Sequence, residues 1–383
     1  MNAARTREAL ALYIHWPFCV SKCPYCDFNS HVRDGINQEA WRDALLADMR
    51  HEHAEGPQRP VTSIFFGGGT PSLMPPATVA ALIGEAERLW GFAADVEISL
   101  EANPSSVEAA RFADLAAAGI NRVSLGLQAL DDAALRFLGR AHGVTEGLAA
   151  LDIAQAHFDR VSFDLIYARP DQSLADWHGE LDRALSFGTG HLSLYQLTIE
   201  PGTRFATLLA NGKLEAVDPD KGADLFEITR TLTERSGLPA YEISNHARSG
   251  EESRHNLTYW RYGDYLGMGP GAHGRRGGLA TLRHKKPENW IGAVTRNGNG
   301  LQIAERLTPD EAARKALVMG LRLREGIDLA HVAARTGMAE LVSAEAVSRL
   351  KALGLVTPAG DRLALTAQGF PLLDRILAEI VTV

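Results

Sequence analysis

The sequence is nearly free of cysteine. It has three in 383 residues, and Cys19, Cys23 and Cys26 fall within one eight-residue stretch. An odd number excludes a fully paired disulfide framework. Long hydrophobic runs are also missing, since none approaches the roughly 20 residues that span a bilayer. Met1 to Glu8 carry no apolar core of the kind a secretory signal needs. Positive charge is not in excess: 39 Lys and Arg stand against 47 Asp and Glu, for a net charge of −8. That balance argues against nucleic acid as a partner. A cytoplasmic protein is expected. The remaining composition, 45% hydrophobic and 22% charged, is that of an ordinary globular chain. The length suits two to three domains of roughly 100–200 residues each.

Six β-rich runs recur in the first half: Leu10–His15, Val61–Phe66, Val96–Leu100, Arg122–Leu127, Val161–Tyr167 and His191–Leu197. Several are nearly all apolar, as strands buried on both faces are. Helical patterns separate them: Gln38–His51, Pro76–Trp90, Ser105–Ala118, Asp131–Leu138, Val144–Phe158 and Ser173–Phe187. The alternation predicts an α/β fold with a parallel sheet and right-handed crossovers. Six units suit a partial (β/α)6 barrel, with a doubly wound open sheet as the alternative. Polar and Gly-rich residues follow the strands, where the mouth of such a barrel gathers its site.

Three units are expected: the partial barrel with the cysteine loop over 1–201, an irregular extension over 202–306, and a small winged-helix-like module over 307–383. The last has nine Lys/Arg and nine Asp/Glu. Its neutrality favours packing or partner docking over DNA binding.

The Cys-x3-Cys-x2-Cys spacing lets one loop wrap a metal centre. An iron–sulfur cluster takes thiolate ligands. Zinc would need a fourth protein ligand, for which His15 or His31 is available. Three incidental buried cysteines are the plainest reading. Gly67-Gly68-Gly69-Thr70-Pro71 lets backbone groups approach a ligand without a Cβ in the way, or it is a simple strand-to-helix turn. No Gly-Lys-Ser/Thr follows, so it is not a P-loop. Gly267–Gly274 lacks the preceding strand, following helix and acidic residue of a dinucleotide fingerprint and is read as a tight loop near the site, with His273 as a second histidine, either structural or facing the ligand.

The run from Tyr13 through His15-Trp16-Pro17-Phe18-Cys19 to Cys23-Pro24-Tyr25-Cys26-Asp27-Phe28-Asn29-Ser30 resembles the cluster loop of radical S-adenosylmethionine (SAM) proteins. The order of strands and motifs resembles one subgroup, that of oxygen-independent coproporphyrinogen III oxidase and the heme chaperones related to it. The likeness runs from Leu12 to the C-terminal module. It implies a [4Fe–4S] cluster on Cys19, Cys23 and Cys26, with SAM chelated at the open iron. Reductive cleavage of SAM to a 5′-deoxyadenosyl radical is the superfamily's chemistry. By the same resemblance Tyr13 and Tyr25 contact SAM, and Gly68, Gly69 and Thr70 belong to the motif that receives its amino group. Glu101 holds the cofactor, and Gln128, Arg140 and Asp164 line the same mouth. In the oxidase these three help hold a second SAM.

Two departures put the oxidase in doubt. Phe28 stands where the oxidase pattern has a fourth cysteine, and only twelve residues precede Tyr13 in place of a long N-terminal arm. One gain points to the chaperones: His255-Asn256-Leu257-Thr258-Tyr259-Trp260 matches their His-Asn-x-x-Tyr-Trp motif. His255 would supply an axial ligand to heme, and Tyr259 and Trp260 a ring-stacking surface. The plain alternative is a histidine and two aromatics packing locally. The expected function is a heme chaperone that binds heme and a SAM-ligated cluster and delivers heme to acceptor hemoproteins, membrane-bound respiratory ones among them. The alternative is the oxidase itself, acting by radical decarboxylation of coproporphyrinogen III. A redox-sensing interaction protein would leave Gly68, Thr70 and Glu101 unexplained. A flavodoxin-type electron donor is expected if SAM is cleaved. The cluster and SAM either regulate transfer or perform a radical step.

Overall fold

Six of the seven residues of β1 (Leu10–Trp16) are buried, so the strand has sheet neighbours and helices around it. The computed structural model describes residues 9–338, 340–359 and 362–381. The Met1–Glu8 segment, read above as free of a signal core, lies outside the described residues. Five more strands follow: β2 (Val61–Gly68), β3 (Phe92–Ala102), β4 (Arg122–Gln128), β5 (Arg160–Tyr167) and β6 (His191–Gln196). All pair in parallel and in sequence order. This is the expected partial barrel, and it is not a doubly wound sheet. In register Tyr13 lies beside Phe65 and His15 beside Gly67, which puts the chain's polar residues at one end of the strands.

One helix differs from expectation. The pattern over 105–118 splits into Ser106–Ala109 and Phe112–Ala117. Side chains at the break serve the site loops instead of a helix face. The Glu108 carboxylate accepts from the Ser72 hydroxyl and the Asn103 amide, and Arg111 donates to the Met74 carbonyl.

The segment expected to be irregular continues the sheet. Strand β7 (Asn245–Ala247) pairs antiparallel to β6. On the other side β8 (Asp264–Met268) lies parallel to β1, and β9 (His273–Arg276), β10 (Leu279–Arg283) and β11 (Leu301–Arg306) add antiparallel. The result is an eleven-stranded sheet. A buried ionic hub fastens this extension to helix Gln38–Glu55. Arg283 donates to Asp48 and Glu52, and Arg276 donates to Glu52. Asp48 also accepts the amides of Gly269 and Gly300.

The C-terminal segment has the helix–helix–helix–hairpin order of a winged helix. Helices Pro309–Gly320, Leu329–Thr336 and Ala344–Ala352 pack around the antiparallel strands Ile327–Asp328, Arg362–Leu365 and Val356–Ala359. A Thr308–Glu311 capping box starts the first helix. Leu317, Leu350 and Ile376 belong to a core separate from the barrel's, which Tyr262 joins from the extension. Arg335 pairs with Asp264 and Arg261 with Glu325 across that junction.

Candidate functional site

The cysteine loop leaves β1 and is closed at its base by backbone pairing. His31 donates to Pro17, and Phe18–Cys19 lies parallel to His31–Val32. Phe205 donates to the Pro24 carbonyl and holds the far side. Each thiol then meets a polar side chain. The Thr70 hydroxyl donates to Cys19 Sγ at 3.4 Å, and Arg140 Nη1 donates to Cys23 Sγ at 3.4 Å. Ser30 Oγ lies 3.7 Å from Cys26 Sγ. Donors aimed at sulfur stabilise thiolate over thiol. Burial works the other way and pushes the Cys19 and Cys26 thiols up.

The same three cysteines line a cavity of about 390 Å³ with Tyr25, Gly68, Gly69, Thr70, Glu101, Gln128, Arg140 and Asp164. So the glycine motif, the acid near the end of β3, Gln128 of β4, Asp164 of β5 and Arg140 between them converge with the cysteines. Gly68 has φ +115°, and a Cβ there would meet the His15 ring. That conformation turns its N–H onto Glu101 Oε2 at 3.1 Å. Gln128, a non-glycine with φ +69°, ends β4 at a register shift and reaches the cavity. Asn103 was not singled out from the sequence. It links the site, donating to Thr70 Oγ1 and accepting from Arg140 Nη2. Its place directly after β3, beside Glu101, was the available signal.

The two acids are unlike ordinary carboxylates. Burial and the neighbouring Asp164 push Glu101 up to about 8, against the Gly68 N–H and Arg122. Burial pushes Asp164 up to about 6, opposed by the Ser193 and Ser124 hydroxyls. The native ligand-free protein therefore holds protons that the unfolded chain releases. Stability from Glu101 is full below its ordinary 4.5 and is lost as pH rises through about 8. Glu101→Gln should flatten the fall in stability across that window, read by urea unfolding of ligand-free protein at stepped pH. A variant curve as steep as the wild type would contradict this.

His255, Tyr259 and Trp260 come together, but inside the barrel. Helix Arg254–Trp260 sits under the sheet's open centre, with the His255 N–H donating to Glu97 Oε1 at 3.3 Å. Its ring stacks on Phe65 at 5.0 Å and lies 6.0 Å from Tyr13. His255 is only 6% exposed. Burial pulls its pKa down to about 4. The three residues line a second cavity of about 260 Å³ that shares Glu101, Ser124 and Asp164 with the first. Its volume lies below the roughly 300–1,000 Å³ of ordinary ligand pockets. Two buried nitrogens on this helix, His255 Nδ1 and Trp260 Nε1, find no partner among the described residues. Tyr13 lines this second cavity and not the one that holds the cysteines, and its hydroxyl hydrogen-bonds His15 Nδ1 at 3.0 Å. Tyr25 packs beside Phe205 at the loop's edge.

The donor set suits a cluster better than a single ion. Among the described residues no three His, Cys, Asp or Glu converge on one point. Zinc requires such convergence, whereas a cluster takes each thiolate on a separate iron. The two histidines available to zinc are engaged elsewhere: His15 Nε2 with the Asn29 carbonyl and His31 Nε2 with Asn29 Oδ1.

Comparison with known proteins agrees with this geometry. Residues 13–184 match the Radical SAM superfamily, and residues 307–372 match the HemN C-terminal domain. The chain is 39% identical to the heme chaperone HemW of Escherichia coli, over 96% of its own length and 97% of the relative's. It is 43% identical to the mitochondrial radical S-adenosyl methionine domain-containing protein 1 of Mus musculus, over 86% of this chain and 76% of that one. Among solved structures, the radical SAM enzyme coproporphyrinogen III oxidase (HemN) from Escherichia coli matches with a TM-score of 0.79 at 25% identity. That match covers 97% of this chain and 89% of that one.

Proposed function

Because the chain belongs to the radical SAM superfamily, and within it to the family of the heme chaperones HemW, we propose that it is a heme carrier. In this reading it holds a SAM-ligated [4Fe–4S] cluster and hands heme to acceptor hemoproteins. The observation that carries the reading is the near end-to-end likeness to a curated heme chaperone. The units 1–201, 202–306 and 307–383 are the working division for its barrel, heme-motif extension and docking module.

Cys19, Cys23 and Cys26 would hold the cluster, which supplies one-electron chemistry when bound. Thr70, Arg140 and Ser30 would set the charge on its three sulfur ligands. Glu101, held by the Gly68 N–H, would meet the cofactor's ammonium, and Tyr25, Gly69, Gln128 and Asp164 would wall the cavity, with Tyr13 behind Glu101 in the adjoining chamber. Heme would be met by His255, Tyr259 and Trp260 only after their helix leaves the barrel. The small volume of the chamber these residues line supports that movement. Among the described residues no helix is long and apolar enough to cross a membrane. A cytoplasmic carrier would reach membrane-bound respiratory acceptors from that side, and a flavodoxin-type donor would serve if SAM is cleaved.

The second reading is the oxidase, favoured by the 0.79 TM-score to HemN. Against it stands Phe28, in the place of the oxidase's fourth cysteine. One anaerobic preparation separates the two. The carrier binds heme saturably and leaves coproporphyrinogen III unchanged in the presence of SAM and reductant. Conversion to protoporphyrinogen IX without saturable heme binding would establish the oxidase instead.

A further inference from the structure

Asn29 follows Cys26 by three residues, and all of its polar side-chain atoms are engaged. Nδ2 donates to two carbonyls remote in sequence, Pro270 and Lys285, each at 2.9 Å. Oδ1 accepts from His31 Nε2 at 3.2 Å, and the Asn29 carbonyl accepts from His15 Nε2 at 3.0 Å. A carbonyl can only accept, so His15 carries its proton on Nε2, and Nδ1 then accepts from the Tyr13 hydroxyl. One residue thereby ties the cysteine loop to β1 and to the sheet extension.

The receiving turn is built for this contact. Gly271 has φ +76°, and a Cβ there would come within 2.5 Å of Asn29 Nδ2. Its own N–H donates to His284, and Gly269 donates to the buried carboxylate of Asp48 at 3.2 Å. Asn29 thus grips a turn anchored in the molecule's buried ionic hub. The glycine-rich run over 267–274, which the cofactor motifs leave unused, acquires a role as that turn.

We propose that Asn29 is a positioning residue for the iron–sulfur cluster, latching the C-terminal arm of the cysteine loop to the Gly269–Gly271 turn so that Cys26 and Ser30 keep their places. The inference rests on the reading that the three cysteines hold a cluster. Its chemistry is that of outer-shell partners of metal ligands, whose removal typically weakens metal retention about 10- to 100-fold.

The test uses the full chain, anaerobically reconstituted. Iron release to a chelator is followed over time, and the reduced cluster is examined by EPR. Asn29→Ala removes the donors. Asn29→Asp keeps the shape but turns a carboxylate onto two carbonyl oxygens, and Gly271→Ala pushes on the latch from the far side. All three should take up iron and release it about tenfold faster than the wild type, with shifted EPR signals. Far-UV circular dichroism of each ligand-free variant should match the wild type. Wild-type release rates and spectra in all three variants would overturn the proposal. A wild-type protein that takes up no iron would overturn the cluster reading, and this proposal with it.

Discussion

Alanine in place of Cys19, Cys23 or Cys26 is expected to abolish iron–sulfur cluster assembly outright. These are the only cysteines in the chain, so no other thiolate can substitute. No convergent group of His, Asp or Glu among the described residues offers a replacement site. The three thiols also differ in support. Cys23 faces a guanidinium that is held in turn by Asn103 and the Gly126 carbonyl, whereas Cys26 meets the Ser30 hydroxyl at 3.7 Å and the Phe28 backbone N–H. Iron and acid-labile sulfide per chain after anaerobic reconstitution give the measurement. Background levels in each single variant are expected. A variant that keeps its full iron content would show that its cysteine is not a ligand.

The second large effect lies away from the site. Arg283→Met should cost about 3–5 kcal/mol of folding stability, because it strands the buried Asp48 carboxylate and strips Glu52 of one of its two arginines. The side chains of Arg283, Asp48 and Glu52 are each 0% exposed. Arg283 donates to Asp48 at 2.9 Å and to Glu52 at 2.8 Å. With it gone, Glu52 keeps Arg276, and Asp48 keeps only amide and indole N–H partners. Denaturant unfolding of the ligand-free protein reads the loss. A change no larger than the ~0.5 kcal/mol of an ordinary surface substitution would contradict the account. Asp48 also holds Gly269, so the same substitution should loosen the turn that Asn29 grips.

The barrel strands were legible because burial on both faces writes itself as an apolar run. β1, for instance, was expected over Leu10–His15 and spans Leu10–Trp16. The convergence of the cysteines with Gly68, Thr70, Glu101 and Arg140 was legible for a related reason, as each lies at or beyond the C-terminal end of a strand and a barrel gathers those ends at one mouth. The extension was not legible. Its core positions include Arg275, Arg276 and Arg283, which read as solvent-facing until carboxylates and aromatic rings from distant segments neutralise and cover them. The contacts of Asn29 join residues 241 and 256 positions apart, which spacing cannot show. The depth of His255 was hidden for the same reason. A histidine and two aromatics in one turn form a cluster wherever the helix lies, and only its docking against Phe65 and Glu97 puts that helix inside the barrel.

The central claim is that this chain carries heme, and its most direct test is an anaerobic heme titration of the cluster-loaded protein, followed optically, with His255→Ala alongside. The account predicts saturable, stoichiometric binding that weakens in the variant. Absence of saturable binding in the wild type would contradict it.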